Sequence, residues 1–507
     1  MGCPFAGRIK TVAYLYDELI KYRDMDYYPF HMPGHKRRLG GVVDPVTFDI
    51  TEIEGFDNLH HAEGLILEAQ KRAAGLYGAE ETHFLMNGST GGILSAIGAC
   101  APSGKLLMSR NSHKAAYHGV FINRLEAVYL YPEKYTCDAK NRFDFPEELS
   151  GEWNGPVRAE EVRAALQQEA EIRAVFLTSP TYDGVISDVR AIAQEVHKFD
   201  IPLIVDAAHG AHFGMHPDFP ENAAAQGADI VIHSLHKTLP SLTQTALLHV
   251  NGDLVDRKKL RKMLDIYQTS SPSYVLMASM DECTRMLQVK GTELFETFAR
   301  RLRGFWEEMR DLKRLNVFHA DDPSKIIISA GRSGLSGMEL AGILRETYHI
   351  EPEMAAGSYV LALASVGDDE EGFSRLAQAL RELDRRMYTQ AHQSSDNRIN
   401  NQKEPLDDKT RETSEAAWRN TDIDRNEICM TIAEAEMGQQ RKARLEDCEN
   451  HVSGEYIYLY PPGIPLIVPG ERMKKELLHQ LLAYRERGYS LQGMEDYEMK
   501  YLRIMDT

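Results

Sequence analysis

The stretch Ala228–Val250, ADIVIHSLHKTLPSLTQTALLHV, joins two apolar, strand-like runs through a turn that carries a lysine. Lys237 stands between ADIVIHSL and Pro240. An amine in that position either carries its ammonium to water along an apolar stem or is held near neutrality by its surroundings, as lysines that form Schiff bases are. For a lone lysine after a strand, exposure is the commoner outcome, so its neighbours decide. Upstream, the short apolar runs THFLMN, KLLMS, EAVYLY, IRAVFLTSP and IPLIVDAAH alternate with helical stretches, among them the amphipathic AEEVRAALQQEA and DVRAIAQEVHKF. That alternation predicts an α/β fold with a mainly parallel sheet covered by helices on both faces. Ligands of such sheets gather outside the carboxyl ends of the strands.

Four strand ends carry groups suited to one anionic, aromatic, electrophilic cofactor. NGSTGG, Asn87–Gly92, lies between a strand and the helix ILSAIGACA. Gly88 lets the backbone approach a ligand, Ser89 and Thr90 supply hydroxyls, and a helix N-terminus favours phosphate; simple capping is the plainer alternative. Asp206 follows IPLIV, where a carboxylate can pair with a protonated ring nitrogen while Ala208 leaves space for a flat ring. His209 and His212 with Asp206 do not define a metal site, and no metal is expected. Around Lys237, Ser234 and His236 can donate to a phosphate. In SRNSHKAAYHG, His113 can stack on a ring, and Arg110 or Lys114 can balance charge. Each signal is weak alone. Their order along the chain matches the way pyridoxal 5'-phosphate is held, with a lysine on its aldehyde and an acidic partner for its pyridinium nitrogen.

Composition bounds the remaining possibilities. The chain has 507 residues, 43% hydrophobic and 26% charged, which is ordinary for a globular protein of two or three packed units. With 58 basic and 76 acidic residues the net charge is −18, which disfavours nucleic acid and anionic lipid as partners. Cys3, Cys100, Cys137, Cys283, Cys429 and Cys448 are scattered without paired spacing, so a reducing cytoplasm fits better than a disulfide framework. At the start, MGCPFAGRIK matches a myristoylation signal only at Gly2, because Ala6 occupies the hydroxyl position. No apolar run reaches the length of a membrane span.

The chain is expected to divide into an N-terminal arm (1–60), a large cofactor-binding domain (61–300), a smaller α+β domain (301–390), a polar connection or insert (391–445) and a C-terminal segment (446–507).

With FHMPGHK, TEIEGFDNLHHAEG, FLMNGSTGG, RNSHK, SPTYDG, VDAAHGAHF, HSLHKTLPSLTQTALLH, QTSSPSYVLMASMD and YPPGIPLIVPGE, the sequence resembles the short bacterial ornithine/lysine/arginine decarboxylases over nearly its whole length. The resemblance implies an aspartate-aminotransferase-like architecture, pyridoxal-phosphate fold type I, and an active site at the interface of a homodimer. It implies that Lys237 bonds the cofactor aldehyde, that Asp206 pairs with the ring nitrogen, that His113 and Ala208 sandwich the ring, and that Ser89, Thr90, Ser234 and His236 contact the phosphate. Ser270 and Ser271 are expected to reach a neighbouring subunit's cofactor, and the arm His31–Lys36 to help cover the site. Departures occur at Arg37, where glycine usually follows HMPGHK; at Ala207, which replaces an acidic residue; and at Ala115, often serine.

The implied activity is α-decarboxylation of a basic L-amino acid, arginine first, then lysine or ornithine, feeding polyamine formation, with Lys237 or His236 returning the proton. Glu353 and Glu471 are candidates for the substrate's distal cation; ordinary surface or capping roles are the commoner fate of such carboxylates. Another reaction on the same cofactor, such as transamination, and a catalytically silent regulatory homologue are the competing readings.

Overall fold

The computed structural model describes residues 15–39, 44–135, 149, 153–329, 335–400 and 425–506. The expectations for Gly2, Cys3, Ala6 and Cys137 lie outside the described residues.

In chain order, helix α1 (Leu15–Asp24) leads to strand β1 (Tyr28–Phe30), then α2 (Leu65–Tyr77), β2 (Glu81–Leu85), α3 (Gly88–Cys100), β3 (Lys105–Ser109), α4 (Lys114–Ile122) and β4 (Glu126–Leu130). There follow α5 (Ala159–Gln168), β5 (Ile172–Thr178), α6 (Val189–Val196), β6 (Leu203–Asp206), β7 (Ile230–Ser234), α7 (Leu235–Thr238), β8 (Ala246–Val250), α8 (Arg257–Tyr267) and the long α9 (Tyr274–Met309). Strands β2 to β8 are the seven apolar runs of the sequence, and they form one sheet in the order β2-β8-β7-β6-β5-β3-β4. β8 is antiparallel to both its neighbours, and the other pairs are parallel. The central strands β6, β7 and β8 are buried along their whole length, because helices cover both faces. α6 shows how a helix is fitted to this: Val189, Ile192, Ala193 and Val196 recur on one buried face, and Asp188 caps the start by accepting from the Ala191 amide at 3.0 Å.

The smaller unit has strands β9 (Asn316–Phe318), β10 (Lys325–Ser329), β11 (Ile350–Pro352), β12 (Met354–Ala356) and β13 (Tyr359–Leu363), with helices α10 (Gly337–Tyr348) and α11 (Glu370–Asn400). β12-β13-β10-β9 is an antiparallel sheet, and β11 pairs in parallel with β1 of the arm. The arm is thus stitched to the smaller unit by strand pairing that local sequence does not announce.

Within 391–445, where a polar connection is expected, α11 runs to Asn400, residues 401–424 lie outside the described residues, and a helix spans Ile432–Met437 and a strand Gln440–Arg444. That strand, QRKAR, is exposed or half-buried throughout and carries no apolar alternation; it exists because it pairs with Tyr501–Met505. The C-terminal unit closes its own core with Leu445, Ile457, Ile467, Leu477, Leu502 and Ile504.

Candidate active site

The parallel strands bring their carboxyl ends to one edge of the sheet, and the candidate residues collect there. β6 ends in Asp206, which is buried. Its Oδ1 accepts from the Ala208 amide at 3.1 Å, its carbonyl accepts from the Ser179 amide at 3.0 Å, and the next amide, Ala207, donates to Ile232 of β7 at 3.0 Å. Burial pushes the Asp206 carboxyl up; the charge of Lys237 and the Ala208 amide pull it back only in part.

β7 ends in Ser234 and passes directly into the single turn α7. The Leu239 amide closes that turn on Leu235 at 2.9 Å, while Thr245 anchors it twice, accepting at its carbonyl from the Leu235 amide at 3.1 Å and lying 3.0 Å from His236 Nδ1. Lys237 is therefore fixed on a short rigid turn. Burial lowers its amine below the ordinary lysine range, opposed by the carboxylates of Asp206 and Glu353. The Ser234 hydroxyl is buried and, among the described residues, has no hydrogen-bond partner.

His113 caps α4, with Nδ1 accepting from the Ala115 amide at 3.2 Å. Gly463 of the C-terminal unit lies against this ring: a Cβ there would stand 3.3 Å from His113 Cδ2 and Nε2. Burial, then the nearby charge of Lys237, lowers the ring to about 3, and burial brings His236 to about 4, so both imidazoles are neutral. At the start of α3, Gly88 has φ +64°, Ser89 is half-buried and Thr90 exposed. Gln244, from the turn after α7, ties this end to the site by donating to the Met86 carbonyl.

Glu353, between β11 and β12, accepts from the Met32 amide at 2.9 Å and from the Tyr182 hydroxyl. It lines a cavity of about 510 Å³ that also touches Arg110, Asp183, Glu351 and Tyr460, and that Lys237 does not line. Glu471, the other candidate for the substrate's distal cation, is not among the residues lining that cavity. Its side chain is 1% exposed and holds Arg110, at 3.1 Å between Oε2 and Nη2, and Asn426 at 3.0 Å. That charge is engaged in docking the C-terminal unit, as is that of Arg110. Ser270 and Ser271 are exposed on the loop between α8 and α9, and among the described residues no hydrogen bond joins them to Lys237.

Sequence reasoning missed two residues. Lys325, which opens β10, is fully buried with Nζ 2.9 Å from Nδ1 of His209, and Tyr182 packs its ring 4.6 Å from that of His209. From the sequence, His209 stands out only as a possible metal ligand. Its Nε2 lies 2.9 Å from Lys237 Nζ. The available signal for Lys325 was a charged residue directly before the apolar run IIIS.

A family model described as the Orn/Lys/Arg decarboxylase major domain matches residues 13–330, and the C-terminal domain of the same family matches 423–497. The chain belongs to the Orn/Lys/Arg decarboxylase family. It is a pyridoxal-phosphate-dependent decarboxylase of fold type I. The arginine decarboxylase of Bacillus subtilis is 28% identical over 512 residues, covering 97% of each chain. An uncharacterized protein of the same organism, YaaO, is 32% identical over 508 residues, covering 97% of this chain and 98% of its own. The lysine decarboxylase of Francisella novicida superposes with a TM-score of 0.70 at 18% identity, over 89% of this chain and 73% of its own, a likeness of fold.

Proposed function

We propose that this family member removes the α-carboxylate of a basic L-amino acid, with arginine ahead of lysine and ornithine. The observation that carries the chemistry is Lys237, an amine lowered by burial on a rigid turn beside the buried carboxylate of Asp206. The preference for arginine is supported by the arginine decarboxylase of Bacillus subtilis, which matches across 97% of both chains.

The residues fit the cofactor. A buried hydroxyl without a partner at Ser234 suits a phosphate oxygen, and Gly88, at φ +64°, opens the backbone for the same group beside Ser89 and Thr90. Pyridoxal phosphate supplies an aldehyde that condenses with amines and a protonated ring that accepts the electron pair of the broken bond. Lys237 would hold the aldehyde carbon. Asp206 would keep the ring nitrogen protonated, which favours the electron-rich transition state over the ground state. His113 and Ala208 would face the two sides of the ring, and His236 would join the phosphate contacts. Lys237 or His236 would deliver the proton that replaces the departing carboxylate. Glu353, half-buried and open to the cavity, would take the substrate's distal cation.

The same proposal takes the chain as a cytoplasmic homodimer, in which the exposed loop of Ser270 and Ser271 faces a neighbour's site. The framework for it is the family's; no helix among the described residues is long and apolar enough to cross a membrane.

The purified protein with pyridoxal phosphate is to be given arginine, lysine and ornithine. Carbon dioxide and agmatine are expected, with kcat/KM for arginine roughly tenfold or more above the others, and Lys237→Ala is expected to lower kcat by on the order of a thousandfold. A keto acid without carbon dioxide, or faster release of cadaverine, would overturn the proposal.

A further inference from the structure

His209 is flanked by two lysines, with Nε2 2.9 Å from Lys237 Nζ and Nδ1 2.9 Å from Lys325 Nζ. An ammonium only donates, and a neutral imidazole offers one N–H and one lone pair. Two ammonium groups would require two lone pairs on the ring. An imidazolium would require two neutral amines, and burial, with both lysines adding to it, holds His209 well below its ordinary range. The row therefore carries at least one neutral amine, and with one proton on the pair it is an ammonium and an amine bridged by a neutral ring in the tautomer that serves both.

The surrounding charges bias which lysine holds the proton. Lys325 faces Asp322 from its own turn, Glu353 and Asp183 from neighbouring segments, and the Tyr182 ring at 6.0 Å; the charge of Lys237 opposes them. Lys237 faces Asp206 and Glu353, with His113 and His236 also near the His209 ring. Asp322 is itself set by His212 Nε2 at 3.1 Å and by the Ser324 hydroxyl, which donates to it at 2.7 Å. Burial, with the charge of Lys237 adding to it, lowers Lys325 to about 8; when Lys237 is neutral that second cause is gone and Lys325 holds its proton more tightly.

We propose that Lys325, acting through His209, is a positioning residue that holds Lys237 as the free amine and stores the proton Lys237 gives up. This rests on the assignment of Lys237 as the residue that bonds the cofactor. In the transfer, Lys237 Nζ passes a proton to Nε2 of His209, and the Nδ1 proton passes to Lys325 Nζ. One N–H bond breaks and one forms at each end, the ring changes tautomer, and no net charge is created. The reverse shift re-arms Lys237 with a proton.

The test follows Lys237 acetylation by trace acetic anhydride, read by mass spectrometry, in protein freed of cofactor over a wide pH range. Lys325→Met is expected to raise the midpoint for Lys237 by on the order of one pH unit. In a His209→Gln background the same change is expected to move it by roughly a third of that or less, because the coupling runs through the ring. Lys325→Arg is expected to keep the low midpoint, since it still donates to Nδ1, yet to lower kcat about tenfold at unchanged KM, since a guanidinium cannot take up the proton. Lys325→Gln, checked by circular dichroism, replaces the methionine variant if that one fails to fold. Equal midpoint shifts with and without His209, or none, would overturn the proposal. Borohydride trapping of the bound cofactor tests the assignment of Lys237 separately: cofactor fixed on another lysine would defeat that assignment whatever the midpoints show.

Discussion

The amide of Gly34 donates to the carbonyl of His236 at 2.7 Å, which bonds the N-terminal arm to the turn carrying Lys237. There is no room for a side chain at this point: a Cβ on Gly34 would stand 2.8 Å from the Leu239 nitrogen and the Thr238 carbonyl carbon. On its other side the Gly34 carbonyl accepts from Ser365 of the smaller unit at 2.5 Å. Lys36 completes the junction from a fully buried position, donating to the carbonyls of Pro29, His31 and Leu363 at 3.0, 3.0 and 2.7 Å.

Gly34→Ala is therefore expected to push the arm off the turn. The strain should cost about 1–3 kcal/mol, seen as a lower melting temperature, and pyridoxal phosphate should be lost faster on dialysis. Unchanged melting and retention would mean that the arm does not restrain the turn.

Arg37 supplies a second test. Its φ is +58°, a left-handed conformation that costs a residue with a side chain about 1–2 kcal/mol. Two contacts offset this: Nη2 donates to the Tyr27 carbonyl at 2.6 Å, and the guanidinium lies 5.1 Å from the Tyr22 ring centroid. Arg37→Gly relieves the backbone and loses the contacts, so stability should change by less than about 1 kcal/mol in urea unfolding. Arg37→Ala keeps the strain and loses the contacts, and should cost more than the glycine variant. Equal losses would remove the backbone explanation.

The large sheet was legible because most of its strands are built on apolar runs, and the strand ends taken together pointed to Asp206, Ser234 and Lys237. Three other features were not. The pairing of β1 with β11 joins Tyr28 to Ile350, and no local pattern encodes a contact of that sequence separation. Lys325 stands before the apolar run IIIS, and only the fold shows that it is enclosed. Glu471 reads as an available carboxylate until Arg110, far away in sequence, is seen to occupy it. Partners of buried charges are set by tertiary packing, and residue type alone does not name them.

The Arg110–Glu471 pair makes this measurable. Burial would push the Arg110 guanidinium down, but the Glu471 carboxylate outweighs it and holds it charged. Glu471→Gln leaves that charge uncompensated and should cost about 3–5 kcal/mol. Arg110→Met combined with Glu471→Leu should recover most of the loss in a double-mutant cycle followed by denaturant unfolding. A double variant no more stable than Glu471→Gln would show that the polar contacts to Tyr117, Pro465 and Asn426, and not the ion pair, hold the C-terminal unit in place.

Acid should destabilise the protein through its buried imidazoles before most carboxylates are protonated. From an ordinary value of 6.5, burial lowers His113 and His233 to about 3 and His236 to about 4, and holds His209 and His249 well below their usual range. Each of these folded-state values lies below the unfolded one, so the unfolded chain binds more protons across the window between them. Their contribution is fully present above pH 6.5 and is lost as pH falls toward 3. The buried carboxyls of Asp183, Asp206 and Asp368 are raised and act in the opposite sense, so the comparison of variants isolates one imidazole. His233 sits 3.1 Å from His249 inside the large domain. Replacing it in His233→Gln should make the fall in unfolding free energy shallower by about 1.4 kcal/mol per pH unit near pH 5, one proton's worth of linkage. If the variant follows the wild-type slope, His233 takes up its proton without unfolding, and burial does not hold it neutral.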